Sequence, residues 1–166
     1  MTGNGRPVGS GSDKAVRDLR SDPAIAVVAP CELSGALRRG RVLVVDDEPM
    51  IAQAVRRLLL PEHDVEAPAS AAQALAMLAD GARFDVIVLD VIMPRLSGPE
   101  FYERLVHVDA DQANRVVFVS GGAVEPKTVA FLASVDNPKL DKPVSLDALR
   151  DVVNGFVARG NSAPAS

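Results

Sequence analysis

The chain has 166 residues, a mass of 17.5 kDa and a net charge of −4, and 48% of its residues are hydrophobic. This length and composition predict one globular domain with a core of its own, and they argue against a disordered chain or a general nucleic-acid binder. The single cysteine, Cys31, excludes an intramolecular disulfide and any zinc site built from several thiolates.

The composition changes near residue 40. Residues 1–40 hold 6 of the 12 glycines and carry 6 basic and 4 acidic residues, whereas the remainder carries 12 basic and 18 acidic residues. We therefore expect a mostly disordered, flexible extension over 1–40, a folded domain over 41–159 and a frayed tail over 160–166. The start resembles no secretory signal and no apolar run is long enough to span a bilayer, so we expect a cytoplasmic protein without membrane contact.

From residue 41 onward, strand and helix patterns alternate. The predicted strands are short apolar or β-branched runs at Val42–Val45, Val65–Ala67, Phe84–Leu89, Arg115–Val119 and Lys139–Asp141. The predicted helices begin at Pro49, after Ser70, at Phe101, at Pro126 and after Ser145. Five successive βα units of this size predict an α/β fold with a doubly wound, five-stranded parallel sheet of order 2-1-3-4-5.

Polar residues follow the predicted strands at their carboxyl ends. In a doubly wound sheet, ligands bind at this edge, next to the point where the strand order reverses. Strands one and three are neighbours in the predicted order, so their acidic ends should meet. The residues at these strand ends are Asp46, Asp47, Asp90, Ser120 and Lys142.

Three carboxylates at one edge repel each other unless a divalent cation or a lysine neutralises them. Oxygen donors of this kind suit Mg²⁺. A carboxylate can also attack phosphorus and form an aspartyl phosphate, and Asp90, alone at the end of the central strand, is the expected acceptor. Asp46 and Asp47 would then hold the metal, and Lys142 and Ser120 would contact the phosphoryl oxygens.

Residues 41–158 resemble the receiver domain of bacterial two-component response regulators, which has a flavodoxin-like fold. The short segments that carry the resemblance occur in the order expected for that family. They are Val42–Pro49, Asp85–Pro94, Ser97-Gly98, Val117–Gly121 and Lys142-Pro143.

The resemblance implies that Asp90 accepts a phosphoryl group from a phosphohistidine on a sensor histidine kinase or a histidine phosphotransfer protein. It implies that Asp47 and Asp90 bind Mg²⁺ directly with the backbone carbonyl of Ile92, and that Asp46 acts largely through water. It also implies a cis peptide bond between Lys142 and Pro143. Self-phosphorylation and autodephosphorylation would be the only chemistry of such a domain, which is not otherwise an enzyme.

The family's partner docks on the first helix, which implies that Met50, Ala54 and Arg57 contact it here. Receivers act as monomers or as phosphorylation-dependent dimers. Family members usually place an aromatic residue three positions before the lysine, but this chain has Lys139 there. A lysine side chain cannot reproduce the rotation of a ring, so we do not expect the family's usual coupling between that ring and the phosphorylated site.

Only one predicted helix and a short tail follow Lys142, so the resemblance implies a single-domain regulator without direct DNA binding. The sequence also resembles receivers attached to hybrid histidine kinases. Two alternatives stay open: a detached receiver of such a kinase, and an adaptor that keeps the fold but not the phosphorylation. An Asp-based phosphatase is disfavoured because Ile92, rather than an acid, lies two residues after Asp90.

Overall fold

The computed structural model describes residues 38–122 and 125–160. Most of the predicted extension (residues 1–37) and of the predicted tail (161–166) lies outside the described residues, so the expectations for these segments stay predictions. In the described ranges, no helix is both long and apolar enough to cross a membrane.

Strands and helices alternate along the described chain. The strands are β1 (Arg41–Val45), β2 (Asp64–Glu66), β3 (Val86–Asp90), β4 (Val116–Ser120) and β5 (Lys139–Asp141). The helices are α1 (Pro49–Leu59), α2 (Ala71–Ala79), α3 (Gly98–Val108), α4 (Ala110–Ala113), α5 (Pro126–Ser134) and α6 (Leu146–Gly160). Each predicted strand is confirmed with bounds that agree within two residues.

Two differences from the predicted helices have local causes. Helix α3 begins before Phe101 because the Ser97 side chain accepts the Glu100 N–H while the Glu100 carboxylate accepts the Ser97 N–H. The sequence analysis missed α4, whose four residues are too few to show a helical hydrophobic period. The Asp109 side chain caps this short helix by accepting the N–H groups of Asp111 and Gln112, the second and third residues of the helix.

The strands form one parallel sheet of order β2-β1-β3-β4-β5, which confirms the predicted order. Helices α2, α3 and α5 cover one face of the sheet, and α1 and α6 cover the other. Strand β3 lies in the centre and is buried along its whole length, so side chains of both faces belong to a core. The carboxyl ends of β1, β3, β4 and β5 consequently meet at one edge, where Asp90 ends the buried central strand.

At the opposite, amino edge, where the strands begin, the residues just before β1 form hydrogen bonds with the folded domain. Arg38 and Gly40, which the sequence analysis placed in the extension, contact the domain: Arg38 donates to both carboxylate oxygens of Asp85 at 3.2 Å, and the Gly40 N–H donates to His63 Nδ1 at 3.3 Å. His63 is buried, and its other ring nitrogen lies 3.0 Å from Asn154 Oδ1 on α6. Residues 38–40 therefore belong to the folded unit.

Candidate functional site

An ammonium group joins two buried carboxylates at the carboxyl edge of the sheet. Lys142 Nζ lies 3.1 Å from Asp90 Oδ2 and 3.7 Å from Asp46 Oδ2. Both carboxylates are only 7% exposed, and the Lys142 side chain is 27% exposed. The structure thus brings together three of the predicted site residues, and a single positive charge serves two negative ones.

Backbone N–H groups hold the two carboxylates from the other side. The Glu48 N–H donates to Asp46 Oδ1 at 2.8 Å, and the Ile92 N–H donates to Asp90 Oδ1 at 3.2 Å. Each bond comes from the residue two positions after the aspartate, where the chain turns away from its strand. One oxygen of each carboxylate is therefore bound to the backbone, while its other oxygen, Oδ2, faces Lys142.

Burial raises the pKa of Asp46 above its ordinary value of 3.8, and the negative charge of Asp90 raises it further. The Glu48 N–H and the Lys142 ammonium act in the opposite direction without cancelling the effect. Ionised Asp46 is therefore held in a place where more positive charge would be favourable.

The hydroxyl of Ser120 is directed elsewhere in the structure. Ser120 is buried at the end of β4, and its Oγ donates to Asp141 Oδ1 at 3.4 Å. The backbone still links it to the site, because the Lys142 N–H donates to the Ser120 carbonyl at 2.6 Å. Sequence reasoning missed Asp141. The available signal was its position one residue before Lys142 at the end of β5, level with the end of β4.

Asp47 lines a neighbouring cleft of about 450 Å³ together with Arg95 and Arg104. Within residues 38–122 and 125–160, no group of three or more His, Cys, Asp or Glu side chains converges as a metal-binding cluster. Carboxylate oxygens are nevertheless the type of ligand that Mg²⁺ prefers. Asp46 and Asp90 lie close enough to contact the same ammonium, and Asp47 follows Asp46 directly in the chain.

A cavity of about 390 Å³ opens between α1 and α6 above the paired carboxylates. Its walls are mainly aliphatic, and Asp46, Asp90 and Lys142 contribute polar groups to it. Of the predicted partner-binding residues, Met50 and Ala54 line this cavity, and Met50 is 86% exposed. Arg57 is exposed further along α1 and is not part of the lining.

The peptide bond between Lys142 and Pro143 is cis, as the resemblance implied. Lys139, at the position where an aromatic residue was expected, is exposed, and its Nζ donates to the Val135 carbonyl at 2.6 Å. The sequence analysis did not identify an aromatic cluster on the face of the sheet that α2, α3 and α5 cover. Its members are Tyr102, Phe118 and Phe131, and their ring centroids lie 5.4–5.6 Å apart.

Comparison with protein families matches residues 42–154 to the response regulator receiver domain. The match covers most of the chain, and the sheet order and strand-end residues agree with it. The chain therefore belongs to the response regulator receiver family and is a receiver domain of two-component signalling.

Among curated relatives, the chain is similar to the transcriptional regulatory protein TcrA of Mycobacterium tuberculosis (strain ATCC 25618 / H37Rv), with 31% identity over 137 residues. That alignment covers 79% of this chain and 51% of TcrA. The chain is also similar to the response regulator MprA of Mycobacterium sp. (strain KMS), with 34% identity over 66% of this chain and 46% of MprA. The chain thus spans about half the length of the curated relatives it matches.

Two solved structures show the same fold. The receiver domain of the Francisella response regulator 1452 superposes with a TM-score of 0.60 at 28% identity, covering 74% of this chain and 99% of that one. The Vibrio cholerae chemotaxis protein CheY4 superposes with a TM-score of 0.59 at 30% identity, covering 71% of this chain and 98% of that one.

Proposed function

We propose that Asp90 is the phosphoryl acceptor of this receiver and that its donor is a phosphohistidine on a sensor histidine kinase or a histidine phosphotransfer protein. The observation that carries the proposal is the contact between Lys142 Nζ and Asp90 Oδ2 at 3.1 Å, at the end of the central strand. A buried carboxylate beside an ammonium group can act as a nucleophile whose charged product is already partly neutralised.

In this reaction an oxygen of Asp90 forms a bond to phosphorus while the bond between phosphorus and the histidine nitrogen breaks. The histidine nitrogen keeps the electron pair of the broken bond. Exchange of a proton with solvent then leaves the imidazole neutral. Lys142 stays protonated throughout, so it can attract the incoming phosphoryl oxygens without giving up a proton. Ser120 is the proposed hydrogen-bond donor to one of those oxygens.

We propose that Asp46, Asp47, Asp90 and the Ile92 carbonyl together hold Mg²⁺. When bound, the ion would supply positive charge to the phosphoryl oxygens. The raised pKa of Asp46 supports this assignment, because it marks a carboxylate with less positive charge near it than its burial requires.

We also propose that the donor protein docks on α1 over the cavity between α1 and α6. The exposed Met50 and the small Ala54 line its mouth, and Arg57 extends the surface with a positive charge. An apolar surface that ends at the acceptor carboxylate would place the partner's phosphohistidine close to Asp90. We infer that this domain does not itself bind DNA, since residues 41–166 carry 12 basic and 18 acidic residues.

The test is the intact mass of the protein after incubation with acetyl phosphate, with Mg²⁺ and with EDTA. One phosphoryl group adds about 80 Da, and we expect the gain only when both Mg²⁺ and Asp90 are present. Asp90→Asn should show no gain. Asp85→Asn is the matched control, since it alters another buried aspartate, which directly precedes the opposite end of β3, and should be labelled like the wild type.

The two parts of the proposal can fail separately. Full labelling of Asp90→Asn would contradict the acceptor assignment. Labelling that is unchanged by EDTA would contradict the proposed metal role of Asp46 and Asp47.

A further inference from the structure

The ends of β4 and β5 place a carboxylate beside the hydroxyl that is proposed to bind the phosphoryl group. Ser120 and Asp141 are direct partners in the register of the two strands. Paired residues of adjacent strands project their side chains on the same face of the sheet. The pairing of the strands therefore brings Ser120 Oγ within 3.4 Å of Asp141 Oδ1.

Ser120 is buried, so its hydroxyl depends on a hydrogen-bond partner within the protein. A buried hydroxyl needs a hydrogen-bond partner, and within the described ranges Asp141 is the partner that Ser120 Oγ has. In the same ranges, no lysine or arginine forms an ion pair with Asp141. Asp141 is thus an exposed acceptor that forms no ion pair in these ranges, and Ser120 is a buried donor turned toward it.

Lys142 follows Asp141 directly, but its ammonium contacts other carboxylates. Lys142 Nζ contacts Asp90 and Asp46, while its backbone N–H holds the Ser120 carbonyl. The backbone of Ser120 is therefore held by the residue whose ammonium contacts the acceptor site, and rotation about the Cα–Cβ bond of Ser120 is enough to take its hydroxyl away from Asp141. A rotation of this kind is small and does not require the strands to separate.

We propose that Asp141 is a positioning residue that holds the Ser120 hydroxyl in the unphosphorylated protein and releases it to the phosphoryl group when Asp90 is modified. The inference rests on the proposed function of Asp90 as the phosphoryl acceptor. It gives this chain a polar partner for Ser120 on β5, the strand on which Lys139 replaces the expected aromatic residue. Asp141 opposes the modified state in two ways, by competing for the hydroxyl and by placing a negative charge near the phosphoryl oxygens.

The equilibrium test uses beryllium fluoride, a mimic of a bound phosphoryl group, in the presence of Mg²⁺. We expect Asp141→Ala to bind it about three- to tenfold more tightly than the wild type, the effect of removing one competing hydrogen bond. Asp141→Asn, which keeps an acceptor oxygen of the same reach, should lie closer to the wild type. Asp136→Ala removes an exposed negative charge just before β5 and should leave the affinity unchanged.

The role of Ser120 is isolated by a double-mutant cycle. In the Ser120→Ala background, adding Asp141→Ala should change the affinity for beryllium fluoride much less than it does in the wild type. An equal gain in both backgrounds would overturn the inference, because it would show that only the charge of Asp141 acts. Equal affinities for Asp141→Asn and Asp141→Ala would overturn it for the same reason.

A measurement without any phosphoryl group separates this inference from the proposed function. NMR three-bond couplings report the side-chain rotamer of Ser120, and we expect Asp141→Ala to shift its population while Asp141→Asn largely preserves it. If the wild type neither binds beryllium fluoride nor takes up a phosphoryl group, the acceptor proposal fails. In that case an unchanged Ser120 rotamer in Asp141→Ala would overturn the positioning role as well.

Discussion

The two edges of the sheet are both rich in charge, but they use it differently. At and near the amino edge, four carboxylates of the described residues each have a guanidinium partner. These ion pairs are Arg38–Asp85, Arg39–Asp64, Arg41–Glu66 and Arg83–Asp109. At the carboxyl edge, Asp46 and Asp90 share the single ammonium of Lys142, and Asp46 has a raised pKa.

We infer that the ion pairs of the amino edge support the fold, whereas the carboxylates of the carboxyl edge are available to bind a further positive charge. A carboxylate with a full set of partners gains little from a new cation, whereas carboxylates that share one cation gain more. Substitutions at the amino edge should therefore change stability without changing phosphorylation. Substitutions at the carboxyl edge should lower phosphorylation without lowering stability.

The largest expected loss of stability follows Asp85→Ala at the amino edge. Asp85 accepts two bonds from Arg38 and one from the Arg41 backbone N–H, and its side chain is only 11% exposed. Its removal leaves these donors without their acceptor, and we expect the free energy of unfolding in urea to fall by about 2–3 kcal/mol. Asp64→Ala, at an ion pair whose carboxylate is 65% exposed, is the control and should cost well under 1 kcal/mol, as is usual near the surface.

If these two substitutions cost the same, burial does not determine the strength of the ion pairs at this edge. The folded Asp85→Ala protein should still take up one phosphoryl group from acetyl phosphate.

A smaller loss is expected for Gly40→Ala. A β-carbon at this position would overlap the buried side chain of Val157 on α6. We expect this overpacking to lower the free energy of unfolding by about 1–2 kcal/mol. Gly40→Ala combined with Val157→Ala removes the overlap, so the second change should cost less in this background than in the wild type. Strict additivity in urea unfolding would show that residue 40 does not pack against α6.

The smallest effect has the opposite sign and belongs to the carboxyl edge. Asp46→Asn removes a desolvated charge next to Asp90 and keeps an oxygen that can accept the Glu48 N–H. We expect it to raise the free energy of unfolding at neutral pH by about 0.5–1 kcal/mol, as stabilising changes at functional sites commonly do. Labelling by acetyl phosphate should fall at the same time.

The pH dependence of this gain has a definite direction. Because the folded protein binds the Asp46 proton more tightly than the unfolded chain does, ionised Asp46 lowers stability above its raised pKa. That penalty fades as the pH falls through the raised value and is absent below the ordinary value of 3.8. The advantage of Asp46→Asn in urea unfolding should therefore shrink on acidification. An advantage that is constant with pH would assign the gain to another cause.

The hydrophobic pattern predicted the strands because apolar runs bounded by Pro, Gly and capping residues report burial directly. The order of the strands was predicted from the doubly wound fold that the alternation of strands and helices indicates. The run at Phe84–Leu89 is the clearest case, since it became the fully buried central strand. The meeting of Asp46 and Asp90 could also be predicted, since neighbouring parallel strands end at the same edge. Helix α4 could not, because Asp109 defines it through local hydrogen bonds rather than through a period.

The sequence alone thus determined the class of fold, its membership of the receiver family by resemblance, and which residues lie at the ends of the strands. Only the tertiary structure decided which side chains meet there: Lys142 contacts both Asp46 and Asp90, whereas Ser120 turns to Asp141. The physical reason is that periodicity sets the face of a strand on which a residue lies. The direction of its polar atoms is set by partners that are distant in the chain, as Lys142 is from Asp46.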